Sequence, residues 1–330
     1  MAEIQTGQQP SDRERPTDAA CDGPPARCAL IFINWNSADL VAAAARSAFA
    51  RAAVPASMRV VVVDNGSRPE SVADLRRALP QATIIELPEN RGFAAAANAG
   101  LRTVSEPFAL ILNADIEFRN DAPRLLADAL EARPNAALAC PRLLRPDGSE
   151  QAAAVPEPTL FGELVSRSLA RHLLRVSANE VSAVPGIVGP CMAVRRDRLE
   201  RVGLLDEQFF FFFEETDWCR RIRNAGLEVL YVPTANVIHL QGVSANRRPI
   251  RARVQFYRAR YQYFRKHRGR AAVAVLGFGL FLRLTLNLLF YTVYALLSGG
   301  RRAARDRVAV CAALWAWHAL GCRPRWGFEP

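Results

Sequence analysis

The sequence predicts an α/β fold, a mixed but mainly parallel sheet with helices on both faces, extended by a C-terminal hydrophobic and basic helical appendage. Three observations carry that reading. Continuous apolar runs of strand length alternate with helix-patterned segments over residues 28–140, and strands buried on both faces read as unbroken apolar runs. The connections between them are short, as in layered α/β domains. From residue 247 onward the composition turns arginine-rich and then almost wholly apolar.

Residues 28–34 form the first apolar run. Asn36 and Ser37 are residue types that cap helices, and the alanine-rich stretch to Arg51 suits a helix. A second buried strand over 59–63 ends in Asp64-Asn65-Gly66-Ser67. A helix over 69–79, a short strand over 83–87 and a loop over 88–92 lead to an alanine-rich helix over 93–104. Pro107 introduces a strand over 108–112 that ends at Asn113-Ala114-Asp115. A helix over 121–133 and a strand over 136–140 complete the repeat. Residues 141–185 are rich in proline and polar residues and read as an irregular, mobile excursion. Order resumes over 185–195; Asp197 then caps a short helix to residue 202, with Gly203 as its stop. Five consecutive phenylalanines, 209–213, precede a helix from Glu214 to Ala225, and strands over 228–232 and 236–240 finish the body. The phenylalanines read as packing against the sheet, with one or two rings available to an acceptor.

The formal net charge of +11 first suggests a nucleic-acid partner. Its distribution excludes one. From residue 247 to the end there are 17 Lys and Arg and 2 acids, a net of +15, which leaves −4 for the preceding 246 residues. A mildly acidic body with a basic tail fits a body that does chemistry and a tail that meets an anionic membrane surface. The seven cysteines are scattered without a C-x-x-C pair, which points to a reducing compartment and to neither zinc nor a disulfide framework. Residues 1–27 are polar and proline-rich, without the apolar segment of a signal peptide, and read as a disordered leader.

The body spans 28–246 and the tail 247–330. Residues 247–270 hold ten Lys and Arg, no acid, and interleaved aromatic rings. Residues 271–297 are apolar except for interruptions at Arg283 and Asn287, and a second apolar run covers 308–320. Twenty-seven residues exceed the roughly 20 needed to cross a bilayer, while a central arginine disfavours crossing. Peripheral, re-entrant and spanning arrangements all stay open, as does a soluble helical cap.

In a parallel sheet, ligands sit outside the carboxyl ends of the strands. Polar clusters fall there: Asn34, Asp64-Asn65 and Asn113 with Asp115 each follow an apolar strand. Glu214, Glu215 and Asp217 open a helix, where acids are also favoured by the helix dipole. Residues two apart point to nearly opposite sides of a helix, so Glu215 and Asp217 cannot share a pocket on a regular one, whereas Glu214 and Asp217 can.

Six segments, in order, resemble the family 2 glycosyltransferases, particularly their rhamnosyltransferase-like branch. They are Val63-Asp64-Asn65-Gly66-Ser67, Asn90-Arg91-Gly92-Phe93 with Asn98, Leu112-Asn113-Ala114-Asp115, Gly189 to Arg195, Phe213-Glu214-Glu215-Thr216-Asp217, and Val237-Ile238-His239. Together they cover residues 28–245. The resemblance implies a GT-A fold, Rossmann-like in its sheet, a nucleotide-diphosphate sugar donor and inversion at the anomeric carbon. It implies that Asn34, Asp64, Asn65, Arg91, Asn98, Asn113, Asp115 and Gly189 face the donor. It places a divalent cation, Mg²⁺ or Mn²⁺, on Asp115 and His239. Where the family carries Asp-x-Asp this chain reads Asn113-Ala114-Asp115, so one metal carboxylate is replaced by a neutral amide and metal dependence is weakened. The family's base position holds Glu215, one methylene longer than the usual Asp, with Asp217 as the next choice. Cys191 reads as a small packing residue, since inverting transfer needs no covalent intermediate.

The expected function is transfer of a sugar, rhamnose foremost, to a glycan or lipid-linked acceptor at the cytoplasmic face of the membrane, in cell-surface polysaccharide synthesis. Two other readings stand beside it: a catalytically inactive membrane-associated scaffold of the same fold, and a sugar nucleotidyltransferase. The last would carry a Gly- and Arg/Lys-rich loop after the first strand, where this chain reads Asn34-Trp35-Asn36-Ser37. The sequence leaves the oligomeric state open.

Overall fold

The computed structural model describes residues 26–166, 174, 176–240, 249–299, 301–322 and 326–327. The first 25 residues of the expected leader and the boundary expected at 246 lie outside the described residues.

The body alternates as the apolar runs require. Strand β1 (Cys28–Asn34) is followed by α1 (Ala38–Arg51), β2 (Met58–Asn65), α2 (Pro69–Ala78), β3 (Thr83–Leu87), α3 (Phe93–Thr103) and β4 (Phe108–Asn113). A short β5 (Ile116–Phe118), α4 (Ala122–Ala132) and β6 (Ala136–Leu144) come next. The strand order in the main sheet is β3-β2-β1-β4-β11-β6-β12-β5, where β11 is Cys191–Arg195 and β12 is Glu228–His239. The first four strands are mutually parallel, with Asn34 in register with Asp64 and Ile33 with Asn113. Strand β11 runs antiparallel to β4 and β6, while β12 is parallel to β6 and antiparallel to β5. The sheet is therefore mixed, and its parallel half carries the strand-end polar residues. The core is continuous: Leu30, Ile31, Val62, Leu110, Ile111, Leu138 and Met192 are fully buried, with the alanines of α1 and α3 letting both helices approach closely.

Three expectations change. The excursion over 141–185 is less irregular than its composition suggests: β6 continues to Leu144, and β7 (Glu150–Gln151), β8 (Ala154–Val155), α5 (Leu160–Leu164), β9 (Ser182–Ala183) and β10 (Gly186–Ile187) follow. Strand β7 pairs with β6, β9 with β12 and β8 with β10, so two-residue strands supply pairings too short to read as periodicity. The two last strands are one, β12, with a register shift between Val232 and Asn236. Pro233 lies inside that shift, and a proline that cannot donate to the ladder sits at a bulge without ending the strand. The phenylalanine run packs chiefly on the tail: Phe209 and Phe213 are buried in a second cluster with Val254, Tyr257, Tyr263 and Phe264.

After α6 (Leu199–Val202) and α7 (Glu214–Asn224), the tail forms α8 (Pro249–Leu297) and α9 (Arg302–Ala319). Gly269, with φ +82°, breaks α8 into a basic first part and an apolar second part. The first part lies against the body; the second pairs with α9, where Phe281 stacks on Trp315 and Arg307 sits over Tyr291.

Candidate active site

The carboxyl ends of β1 and β2 are tied by one buried network. Asn34 Nδ2 donates to Asp64 Oδ1 at 2.7 Å and its Oδ1 accepts from the Ser37 N–H at 3.1 Å. Asp64 Oδ2 accepts the Ser67 N–H at 2.9 Å, and Ser67 Oγ accepts the Asn36 N–H at 2.8 Å. Asn34 is thus a holder of Asp64, and Ser67, which closes the Val63–Ser67 segment, completes the arrangement with Ser37.

Asn65 holds the next loop. Its Nδ2 donates to Asn90 Oδ1 and to the Gly92 carbonyl, both at 3.1 Å, and its Oδ1 accepts the Arg91 N–H at 2.9 Å. Both amide donations and one acceptance shape the 90–92 loop. Gly92 has φ +86°, and a Cβ there would lie 2.3 Å from the Phe210 carbonyl oxygen, so only glycine allows this approach. Asn98 also holds a loop. It is buried, donates to the Leu205 carbonyl at 2.9 Å and to Glu207 Oε1 at 3.0 Å, and accepts the Leu205 N–H at 3.0 Å. Arg91 is exposed and pairs with Glu207 at 3.3 Å, where Arg102 also binds at 3.1 Å. The Asn98 hydrogen bond and these arginines hold the Glu207 carboxyl below the usual range. Asn98 and Glu207 fasten the loop that carries the phenylalanines into α7.

The other end of the site is assembled around β4. The Asn113 N–H donates to the Pro190 carbonyl at 3.0 Å, which sets Gly189 beside the Asn113-Ala114-Asp115 turn. Asp115 Oδ1 lies 3.5 Å from His239 Nε2, and the Leu240 N–H donates to the Asp115 carbonyl at 2.9 Å. His239 Nδ1 stands 3.2 Å from Gln151 Oε1. A proton on Nδ1 donated to Gln151 leaves the Nε2 lone pair on the Asp115 side, the tautomer that metal ligation needs. Gln151 escapes sequence reading because it lies in the stretch without periodicity.

No group of three or more His, Cys, Asp or Glu side chains converges as a metal cage among the described residues. Asp115 and His239 offer one carboxylate oxygen and one imidazole nitrogen 3.5 Å apart, with the neutral Asn113 two residues before Asp115. Such a pair fits a divalent cation that completes its shell with donor phosphate oxygens and water.

Helix α7 begins after two consecutive left-handed residues, Phe212 at φ +71° and Phe213 at φ +69°. Non-glycine residues hold such angles only where packing over-determines them. Here the Phe213 ring is fixed by Phe256 and Tyr263, with centroids 5.4 and 5.5 Å away. The sharp turn presents Glu214 and Glu215. A Cβ on Gly189 would lie 3.9 Å from the Glu215 Cβ and Cγ, so Glu215 faces the Gly189 and Asn113 side of the sheet. Burial pushes the Glu215 carboxyl up to about 7, against hydrogen bonds from backbone that lower it. Glu214 is buried, its Oε2 has no hydrogen-bond partner among the described residues, and burial with the neighbouring Glu215 holds its carboxyl well above the usual range.

Asp217 is placed elsewhere, which corrects its standing as the alternative base. It is fully buried; its Oδ2 takes Arg221 Nε at 2.8 Å, and its Oδ1 takes Lys266 Nζ at 2.6 Å and His267 Nε2 at 2.7 Å. These hydrogen bonds, led by Lys266, overcome burial and hold its carboxyl below the usual range. An acid saturated by two cations, Arg221 and Lys266, and by the His267 imidazole, whose own pKa burial lowers, is a poor proton acceptor. Cys191 is buried and desolvation drives its thiol well up, as suits a packing residue.

A family model for glycosyl transferase family 2 matches residues 30–203, more than half of the chain. An N-acetylglucosaminyl-diphospho-decaprenol L-rhamnosyltransferase of Mycobacterium tuberculosis is 26% identical over 211 residues, covering 58% of this chain and 69% of that protein. A low-salt glycan biosynthesis hexosyltransferase of Haloferax volcanii is 26% identical over 226 residues, covering 66% and 68%. Among solved structures, a mannosyltransferase of Pyrobaculum calidifontis in complex with GDP-Man and Mn²⁺ superposes with a TM-score of 0.53 at 20% identity, covering 93% of this chain and 90% of that one. GalNAc-T7 with UDP, GalNAc and Mn²⁺ gives a TM-score of 0.53 at 14% identity, covering 71% of this chain and 47% of that one. The curled mixed sheet is that of the GT-A fold, and the chain belongs to glycosyl transferase family 2, on its rhamnosyltransferase-like side.

Proposed function

We propose that the protein transfers a hexose, rhamnose foremost, from a nucleoside diphosphate carrier to a hydroxyl of a glycan or lipid-linked acceptor, with inversion, in cell-surface polysaccharide synthesis. The observation that carries this reading is the juxtaposition of Glu215 with Gly189, next to the turn that holds Asp115 against His239. A base and a diphosphate-binding pair at one edge of the sheet are the two things that single displacement requires.

Asp64, fixed by Asn34 and Ser67, is the group that binds the nucleoside, through a ribose hydroxyl or a base N–H. Asp115 and His239 would hold a Mg²⁺ or Mn²⁺ ion, which would supply positive charge to neutralise the leaving diphosphate. Glu215 accepts the acceptor hydroxyl proton as the new C–O bond forms and the bond to the diphosphate breaks. A carboxyl near pH 7 suits that work, because a base is most effective when its pKa lies near the working pH. Glu214, kept protonated by burial, is available to donate a hydrogen bond to sugar or acceptor. The relatives named for rhamnosyl transfer and for a diphospho-decaprenol acceptor support rhamnose and a lipid-linked acceptor. The apolar second part of α8, where an 18-residue window has mean hydropathy 2.0, supports association with a membrane, and the arginines that flank it would complement anionic headgroups. Incubation with a panel of nucleotide sugars, thymidine diphosphate rhamnose among them, and a short-chain polyprenyl acceptor tests the reading. An inverted glycosidic product by NMR supports it; a product with retained configuration overturns the inverting mechanism.

A further inference from the structure

The second part of α8 carries two opposed faces. Leu276, Leu280 and Leu284 are fully or almost fully buried in the cluster with Leu314 and Trp317. Phe278, Leu282, Leu286, Leu289 and Val293 are exposed, Phe278 to 73% and Leu289 to 61%. At about 100° per residue these five share one stripe about 80° wide, centred roughly 160° from the middle of the buried leucines. Phe161 and Val165 of α5 are also exposed, on the helix whose Leu164 meets Gly279 of α8 so closely that a Cβ there would lie 2.4 Å from it.

We infer that this stripe is a membrane-docking surface on which α8 and α9 lie parallel to the bilayer, in one leaflet, without crossing it. The inference rests on the membrane association proposed above and decides its geometry. The middle of the helix is fastened to the body: Arg283 donates to the Glu163 carbonyl at 3.0 Å, and the Glu163 carboxylate pairs with the buried Arg260 at 3.2 Å. Only residues 285–297 of α8 extend beyond Leu284, about 20 Å of helix against a hydrocarbon core of about 30 Å. The second apolar run, residues 308–320, is equally short, and its far end is held to the first part of α8 by the contact of Tyr261 with His318 at 2.8 Å. The turn between the helices and the start of α9 carry Arg301, Arg302, Arg305 and Arg307 with a single acid, Asp306. A hairpin dipping inward would carry those arginines into hydrocarbon, whereas one lying flat leaves them among headgroups.

Charge selects lipid over a second copy of the chain. The stripe lies between Arg265, Arg268 and Arg270 at one end and the arginines of the turn at the other. Two such faces would oppose like charges, while anionic headgroups complement both ends.

The test uses the full chain with closed vesicles of phosphatidylcholine alone, or with phosphatidylglycerol added. Flotation with the anionic vesicles is expected, reduced at least tenfold by Phe278→Glu with Leu289→Glu, and losing its anionic preference in Arg302→Glu with Arg305→Glu. A Ser298→Cys variant bound to vesicles is expected to react fully with a membrane-impermeant maleimide added outside, measured against the parent protein. A Leu286→Cys variant carrying an environment-sensitive dye is expected to shift to the blue and be quenched by shallowly brominated lipid. Protection of Ser298→Cys from the outside reagent means the hairpin crosses, and overturns the in-plane geometry alone. Absence of flotation with either vesicle overturns the membrane association itself. Flotation unchanged by the Phe278/Leu289 pair, or a lipid-free dimer that this pair dissociates, overturns the assigned surface. Nucleoside diphosphate release without vesicles should be unchanged in the Phe278/Leu289 pair, which separates failure of docking from failure of the catalytic reading.

Discussion

At the residue scale the proposed mechanism depends on one carboxylate, Glu215. Its folded pKa of about 7 fixes the sign of two pH effects. The base works only when ionised, so kcat/KM is expected to fall tenfold per unit as pH drops below about 7. Folding raises this pKa above the unfolded value of about 4.3, so its contribution to stability is complete below that value and is lost as pH rises through about 7. Glu215→Gln should therefore lower kcat by about 10²–10⁴-fold, abolish the acid limb of the profile and flatten the loss of Tm between about pH 4 and 7. A profile unchanged in Glu215→Gln would remove it from the chemistry. His239→Ala leaves Asp115 as the sole protein ligand of the pair, and is expected to raise the Mn²⁺ concentration for half-maximal activity by at least tenfold while sparing stability. The types of these residues were legible in the sequence because each follows an apolar strand or opens a helix. The partners of Asn98 and Asp217 were not, since they lie 107 and 50 residues away in the chain and only the fold brings them together.

At the element scale, α7 joins the site to the tail. Asp217 sits two residues after Glu215 and carries Lys266 and His267 from the end of the basic part of α8, while Lys266 also pairs with Asp206 at 2.7 Å. Glu157 adds a parallel tie, taking Arg220 and Arg223 of α7 at 2.5 Å and Arg268 of α8 at 3.3 Å. Breaking a buried pair leaves uncompensated charge, so Asp217→Ala should destabilise by about 3–5 kcal/mol in urea unfolding. The folded Asp217 pKa is lowered, so its stabilisation is present above about pH 4 and is lost as pH falls through the folded value. Element boundaries were easier to read than these ties: glycine, proline and the ends of apolar runs mark β1, β3 and α3 to within a residue. The strands β7 to β10 were not legible, because two residues carry no period and their pairing is set by β6, β12 and each other.

At the scale of the whole molecule, the tail is part of the folded unit. Phe209 and Phe213, which lead into the base-bearing helix, are buried by the first part of α8, and its Tyr263 and Phe264 share a cluster with Leu276, Leu280, Leu314 and Trp317. Removing residues 271–330 should therefore uncover that cluster, lowering Tm and causing aggregation instead of releasing a well-behaved soluble domain. A monodisperse truncated protein with parental Tm would show that the tail is dispensable to the body. Composition revealed the division into acidic body and basic tail; it could not reveal that the two share a core, since an apolar helix reads alike whether lipid or protein covers it.

Release of nucleoside diphosphate by the full chain, in the presence of Mg²⁺ or Mn²⁺, compared between the parent protein and Asp115→Ala, tests the central claim most directly. The account predicts turnover of at least one nucleotide sugar by the parent, lowered by at least 10²-fold in Asp115→Ala with the fold intact by circular dichroism. Turnover by the parent that Asp115→Ala leaves unchanged, or a parent that neither turns over nor is thermally stabilised by any donor in the panel, would contradict it.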